Sequence, residues 1–134
     1  NLALTQSEYT ASQENNVEGN QVEFIPDVNL KTGINFGYKN LLGSLQYTYL
    51  SKQFTDATNS ERDFTSTSGI IGEIPAYDIL DLSLSYTYKK FRLETGINNL
   101  LDNSYFVRRA TGYPGPGIIP SQPRTWYATL QFKL

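Results

Sequence analysis

The sequence predicts an all-β chain, an antiparallel up-and-down meander of about six strands that forms part of the wall of a transmembrane barrel. Three observations predict it. Apolar and polar residues alternate with a period of two along most of the chain, which marks strands with two unlike faces. The alternating segments run to about ten residues, longer than the ~5–6 of an ordinary globular strand and matched to the ~9–11 of a membrane-spanning one. Short and long connections alternate strictly, which puts every short turn at one end of the sheet and every long loop at the other.

The elements follow in order. Leu2 to Thr10 alternates least cleanly and is expected as a first strand. From Val28 to Tyr38 the even positions Val28, Leu30, Thr32, Ile34, Phe36 and Tyr38 face one way, and Asn29, Lys31, Gly33, Asn35 and Gly37 the other. Leu41 to Phe54 sets Leu45, Tyr47 and Tyr49 against Ser44, Gln46 and Thr48. Leu80, Leu82, Leu84, Tyr86 and Tyr88 oppose Asp81, Ser83, Ser85, Thr87 and Lys89, and Phe91, Leu93, Thr95 and Ile97 oppose Arg92, Glu94, Gly96 and Asn98. The final run places Trp126, Ala128, Leu130, Phe132 and Leu134 opposite Thr125, Tyr127, Thr129, Gln131 and Lys133. A face bearing Lys31, Asn35, Asp81, Arg92, Glu94 and Gln131 suits a hydrated lumen better than a buried core. Alternation and length alone fit a soluble antiparallel sandwich with one wet face equally well.

The connections separate the two. Lys39-Asn40 and Lys89-Lys90 close two hairpins, whereas Ala11 to Asp27, Thr55 to Ala76 and Leu101 to Arg124 are long. Membrane barrels show this asymmetry between their two rims, and a sandwich has no reason to. Tyr38, Tyr88 and Phe91 stand at the short-turn end, and Phe54, Tyr77 and Trp126 at the long-loop end, as two interfacial girdles would. Lys-Lys is a poor pair for a tight hairpin turn, where Asn-Gly or Asp-Gly is favoured.

Composition removes other classes. There is no Cys and no His, so thiol or imidazole metal sites, disulfides and Ser-His-Asp or Cys-His catalysis are excluded. Any metal is held by oxygen or arrives already chelated. A formal charge of −2 without a basic run lacks the footprint of a nucleic-acid binder. No apolar run approaches the ~18 residues of a transmembrane helix. The chain opens without Met, and residues 1–134 are expected to be one segment of a larger barrel domain.

The long loops differ in charge. The first carries Glu14, Glu18, Glu23 and Asp27 with no base, and the second Asp56, Glu61, Asp63 and Glu73 against Arg62. The third is basic, with Arg108, Arg109 and Arg124 against Asp102, and it is rich in Gly, Pro and aromatics. It exceeds the ~12–15 residues beyond which an irregular loop is usually functional or disordered.

Three stretches carry a resemblance. Gly96 to Phe106, GINNLLDNSYF, resembles the penultimate-strand signature of TonB-dependent outer-membrane receptors, in which Asn, two apolar residues and Asp lead to a Tyr. Pro75 to Tyr86, PAYDILDLSLSY, looks like the strand entry before it. Arg108 to Tyr127, RRATGYPGPGIIPSQPRTWY, followed by ATLQFKL, is similar to the C-terminus of the ferric dicitrate type. The resemblance implies a plugged barrel of about 22 strands, of which this chain is the C-terminal segment with about the last six. It implies localisation in the bacterial outer membrane and TonB-coupled import of an iron chelate, with no cofactor of the protein's own. The implied partners are the remaining barrel and plug, the TonB complex acting through that plug, the chelate, and outer-membrane lipid and lipopolysaccharide. Such barrels commonly finish on an aromatic residue; here Phe132 precedes Lys133-Leu134, two positions inward on the same face.

Arg108, Arg109 and Arg124 are the leading ligand-binding candidates, because guanidinium matches carboxylate in bidentate geometry and ferric citrate presents carboxylates. Asn103, Gln122 and Tyr113 are further polar or aromatic candidates. The competing reading of each arginine is a pair with a loop acid or a lipopolysaccharide phosphate. Asn98, Asn99 and Asp102 are expected to fix a loop at a strand end, since such side chains bond local backbone. Asp78 and Asp81 have opposite parity and cannot work as a carboxylate pair. Nothing in these residues supports hydrolysis or redox chemistry. The functional alternatives are a receptor of the same kind for another siderophore, a cobalamin or a glycan, and a soluble sandwich that binds carbohydrate.

Overall fold

A computed structural model describes residues 1–62, 68–112 and 115–134. The chain runs through β1 (Leu2–Leu4), β2 (Val28–Tyr38), β3 (Leu41–Leu50), β4 (Gln53–Phe54), β5 (Glu73–Ile74), β6 (Tyr77–Tyr88), β7 (Phe91–Asn98), β8 (Phe106–Ala110), β9 (Gly117–Pro120) and β10 (Thr125–Phe132). Six of these make one antiparallel sheet in the order β1-β2-β3-β6-β7-β10, so each sheet strand lies beside its sequence neighbour within the sheet. That is the up-and-down meander expected from the pattern. The described residues form no helix.

Register fixes two unlike faces. Leu30, Tyr49 and Asp78 share one row, followed by Thr32, Tyr47 and Leu80, then Ile34, Leu45, Leu82 and Ile97. The opposite face carries Lys31 beside Thr48, Gln46 beside Asp81, and Thr87, Arg92 and Gln131 in one row. Because side chains alternate with period two, a one-residue slip anywhere would turn lysine and glutamate onto the apolar face. Close packing pins the register at two glycines. Phe36 lies across Gly43 on the apolar face and Tyr127 across Gly96 on the polar face, and a Cβ at either glycine would clash with the ring. An aromatic lying over a strand glycine is a known device for fixing register.

Among the described residues the apolar face stays open: Ile34, Tyr38, Leu130 and Trp126 are 67%, 71%, 69% and 79% exposed. Among the described residues the buried apolar side chains are Val17, Phe54, Ile74 and Ala110, none of them in the six-stranded sheet. A sheet that is wet on one face and apolar on the other, with no core of its own, has the surface a lipid bilayer requires.

Three expectations are corrected at the long-loop end. The strand over Leu2 to Thr10 stops at Leu4; beyond it Tyr9 N–H donates to Asn20 O at 2.9 Å and Gly19 N–H to Tyr9 O at 2.8 Å, folding the first loop on itself. Gly19 supplies the positive φ that this return needs. The segment Leu41 to Phe54 breaks after Leu50, where the Ser51 hydroxyl accepts from Val28 N–H at 3.0 Å and holds the chain to the edge of β2. The chain then resumes as β4, paired with β5 in a separate small sheet. Phe54 consequently sits in the loop core rather than in a girdle. Tyr77 stacks on Tyr105, with centroids 4.7 Å apart, and Trp126 is the exposed aromatic of the three.

Both outer strands leave a free edge, β1 on one side and β10 on the other. Unpaired edges recruit further strands. Residues 1–134 expressed alone without detergent are therefore expected to self-associate, as measured by sedimentation velocity. A sharp monomer boundary would contradict both the open-edge argument and the lipid-facing assignment.

Candidate ligand-binding loops

The long loops form a capped end above the sheet. It begins where β7 ends, in a turn built on Asn99, which is 2% exposed. Its backbone N–H donates to Asp81 Oδ1 at 2.8 Å, its Nδ2 donates to Asn103 O at 2.9 Å, and its Oδ1 accepts from Asn103 N–H at 3.1 Å. Asn99 and Asp102 both take positive φ, a conformation that Asn and Asp tolerate best among non-glycine residues. The expected role of Asn99 and Asp102 in fixing this strand end is thus what the geometry shows. Asp78 and Asp81 are separated as parity requires: Asp78 accepts from Asn103 Nδ2 at 3.1 Å, while Asp81 holds the Asn99 amide.

The third loop continues into the β8–β9 hairpin, in which Arg108 pairs with Ile119 and Arg109 with Ile118. Adjacent strand residues face opposite ways, so the two arginines separate. Arg109 points toward the second loop. Its Nη2 donates to Glu73 O at 2.7 Å, its Nη1 to Gly69 O at 2.8 Å and its Nε to Glu73 O at 3.3 Å, with the guanidinium 5.3 Å from the Phe106 ring centroid. Burial lowers its pKa from the usual arginine value, and among the described residues its charge meets carbonyl dipoles rather than a carboxylate. Arg108 is exposed and, among the described residues, makes no hydrogen bond or ion pair.

The remaining candidates are placed as follows. Arg124 pairs with Asp102, Nη2 to Oδ2 at 3.1 Å, and its Nη1 donates to Leu100 O at 3.4 Å. Both partners are about half exposed, the setting in which an ion pair contributes ~0–1 kcal/mol and exchanges readily. Asn103 is committed to Asp78 and Asn99. Gln122 presents an exposed side chain and uses its carbonyl as a 3.5 Å acceptor for Asn99 Nδ2. Tyr113 lies outside the described residues. In the acidic first loop the Tyr9 hydroxyl donates to Glu23 Oε2 at 2.6 Å, and this bond raises the tyrosine pKa.

Sequence reasoning missed the inward residues of the cap. Val17, Gln53, Phe54, Ile74 and Ala110 are buried there. Isolated apolar residues inside polar loops were the available signal, but without a period they name no partner. Among the described residues no group of three or more carboxylates could hold a metal ion.

A sheet with one lipid-compatible face, one hydrated face, tight turns at one rim and a folded cap at the other defines a segment of a transmembrane β-barrel. Residues 1–100 match the family described as TonB dependent receptor-like, beta-barrel, and the chain belongs to that family. It is similar to the crystal structure of the ferric citrate transporter FecA in the unliganded form, at 27% identity and a TM-score of 0.75, covering 89% of this chain and 18% of that one. The siderophore receptor PiuA from Acinetobacter baumannii shares the fold at 21% identity and a TM-score of 0.68, over 87% of this chain and 15% of that one. So does the closed form of the ferric-catecholate import receptor Fiu from K12 E. coli, at 15% identity and a TM-score of 0.67, over 91% and 16% respectively. The chain spans less than a fifth of the length of each. The family and these neighbours are receptors and transporters rather than enzymes. No curated protein matches the sequence.

Proposed function

We propose that this chain is the C-terminal barrel segment, residues 1–134, of an outer-membrane receptor that imports a ferric chelate such as ferric citrate with energy delivered through TonB. The observation that carries the reading is the likeness to the ferric citrate transporter, at 27% identity over 89% of the chain. The charge of the third loop supports it, since ferric citrate is anionic and Arg108 stands exposed there without a partner among the described residues. The remaining barrel pairs with the edges of β1 and β10, a plug occupies the lumen and connects to the TonB complex, and lipid and lipopolysaccharide surround the outer face. Iron enters inside its own chelator, so the receptor supplies no metal ligand and needs no cofactor.

In this reading the residues of the loop take different roles. Arg108 meets the chelate, and the Arg124–Asp102 pair opens to offer a second guanidinium. Gln122 and Tyr113 add contacts from the same loop. Arg109 and Asn103 position that loop. Arg108→Ala in the full receptor is expected to weaken ferric citrate binding by roughly ten- to a hundred-fold, the range for one charge-assisted hydrogen-bonded contact. Equilibrium binding of ferric citrate measures it. An unchanged affinity would remove Arg108 from the site, and tighter binding of a neutral or catecholate chelate would redirect the ligand assignment.

A further inference from the structure

The two tight hairpins repeat an arrangement that closing a turn does not require. Lys39 and Lys89 each take φ of 53°, a left-handed conformation in which Gly or Asn is the ordinary choice. In both turns the lysine ammonium sits over the ring of the preceding tyrosine, 5.1 Å from the Tyr38 centroid and 5.4 Å from that of Tyr88. Both tyrosines project from the apolar face and are 71% and 54% exposed. In sheet order the two turns are two strand spacings apart, about 10 Å. Lys90 follows directly, and its carbonyl accepts from Lys133 N–H at 2.8 Å, which brings a fourth lysine to the same rim. Among the described residues the one carboxylate side chain at this end, Glu94, is taken by Arg92 at 2.7 Å. Most of the other carboxylates lie in the loops at the far end.

We propose that this rim binds the headgroups of anionic phospholipids in the leaflet that the short turns face. The proposal rests on the membrane-barrel reading and assigns the lysine-bearing turns a ligand. The strained lysines hold their charge at the level of the tyrosine belt, where an apolar ring meets acyl chain and the ammonium meets phosphate. Four lysines with no acidic side chain among them concentrate positive charge where the bilayer presents its headgroups.

The test uses the full receptor, reconstituted in vesicles of equimolar phosphatidylglycerol and phosphatidylcholine, with co-purifying lipid counted by native mass spectrometry. Phosphatidylglycerol is expected to be enriched, and each Lys→Gln change at positions 39, 89, 90 and 133 to lower the enrichment by up to about five-fold. High salt is expected to weaken it as well. The four corresponding Lys→Arg changes keep the charge and are expected to retain it. Equal retention of the two lipids by the unmodified receptor, or enrichment that survives all four Lys→Gln changes in a barrel with normal heat-modifiable migration, would overturn the proposal. Should the four Lys→Gln changes together prevent folding, the single changes and the unmodified receptor still decide it. A receptor that enters neither these vesicles nor pure phosphatidylcholine would instead defeat the membrane-barrel reading.

Discussion

Asn99→Ala is expected to loosen the junction between β7 and the third loop by about 3 kcal/mol, close to a hundred-fold in the local opening equilibrium. Two terms add. The substitution strips Asn103 N–H and Asn103 O of their partners at a site that is 2% exposed, and each unsatisfied buried group costs ~1–3 kcal/mol. It also places alanine at φ 53°, where a side chain that cannot bond locally adds ~1 kcal/mol. Asn99→Gly separates them, because glycine tolerates the backbone and loses only the bonds; it is expected to be the milder by the conformational term alone. Hydrogen exchange at Leu100, Asp102 and Asn103 is the measurement, since their amides are held by Leu80 O, Asn99 O and Asn99 Oδ1. Unchanged protection in Asn99→Ala would show that the turn does not depend on this side chain. Because Arg124 and Gln122 return to the same junction, chelate binding is expected to fall with the loss of order.

Arg109→Ala carries the second large effect. One guanidinium ties the β8–β9 hairpin to Gly69 and Glu73, and its removal leaves two carbonyls of the second loop without that donor. A charged hydrogen-bonding group in a half-buried setting contributes ~1.5–3 kcal/mol, so the hairpin is expected to undock and exchange at Ala110 to accelerate by roughly ten- to a hundred-fold. Arg109→Lys keeps a charge but not the planar fork, and is expected to restore only part of the protection. The sign of the pH dependence follows from burial. A base whose pKa is lowered in the fold is held less favourably when charged, so stability would rise only as pH climbed through that lowered value. For arginine that lies at the alkaline extreme, and docking is expected to stay flat from neutral to mildly alkaline pH. If Arg109→Ala leaves exchange at Ala110 unchanged but abolishes chelate binding, Arg109 touches the ligand and its positioning role is wrong.

These two residues show what could be read in advance. Asn99 was legible as a loop-fixing residue because Asn in an Asn-Asn-Leu-Leu-Asp run at a strand end has a local job, and local bonds are encoded locally. Arg109 was legible as an arginine in a basic loop but not as a tie, because its acceptors are backbone carbonyls about forty residues away and a carbonyl leaves no mark in the sequence. Arg108 and Arg109 look equivalent as a pair; strand parity at β8 sends one to solvent and the other into the cap. Phe54 illustrates the converse error. Its place at the end of an alternating run suggested a membrane girdle, whereas the break at Ser51 turned it into the loop core.

By itself the sequence determined the strands, their two faces, their neighbours and the separation of tight turns from long loops. Period-two alternation and the connection lengths are local properties, and an up-and-down sheet needs nothing further to set its order. The tertiary structure alone decided how the long loops fold onto one another, which arginine is spent on holding them and which remains exposed. It also placed two lysines over tyrosine rings at the opposite rim. The physical reason is that loop contacts form between residues far apart in the chain, through carbonyls and isolated apolar side chains that carry no period from which a partner could be inferred.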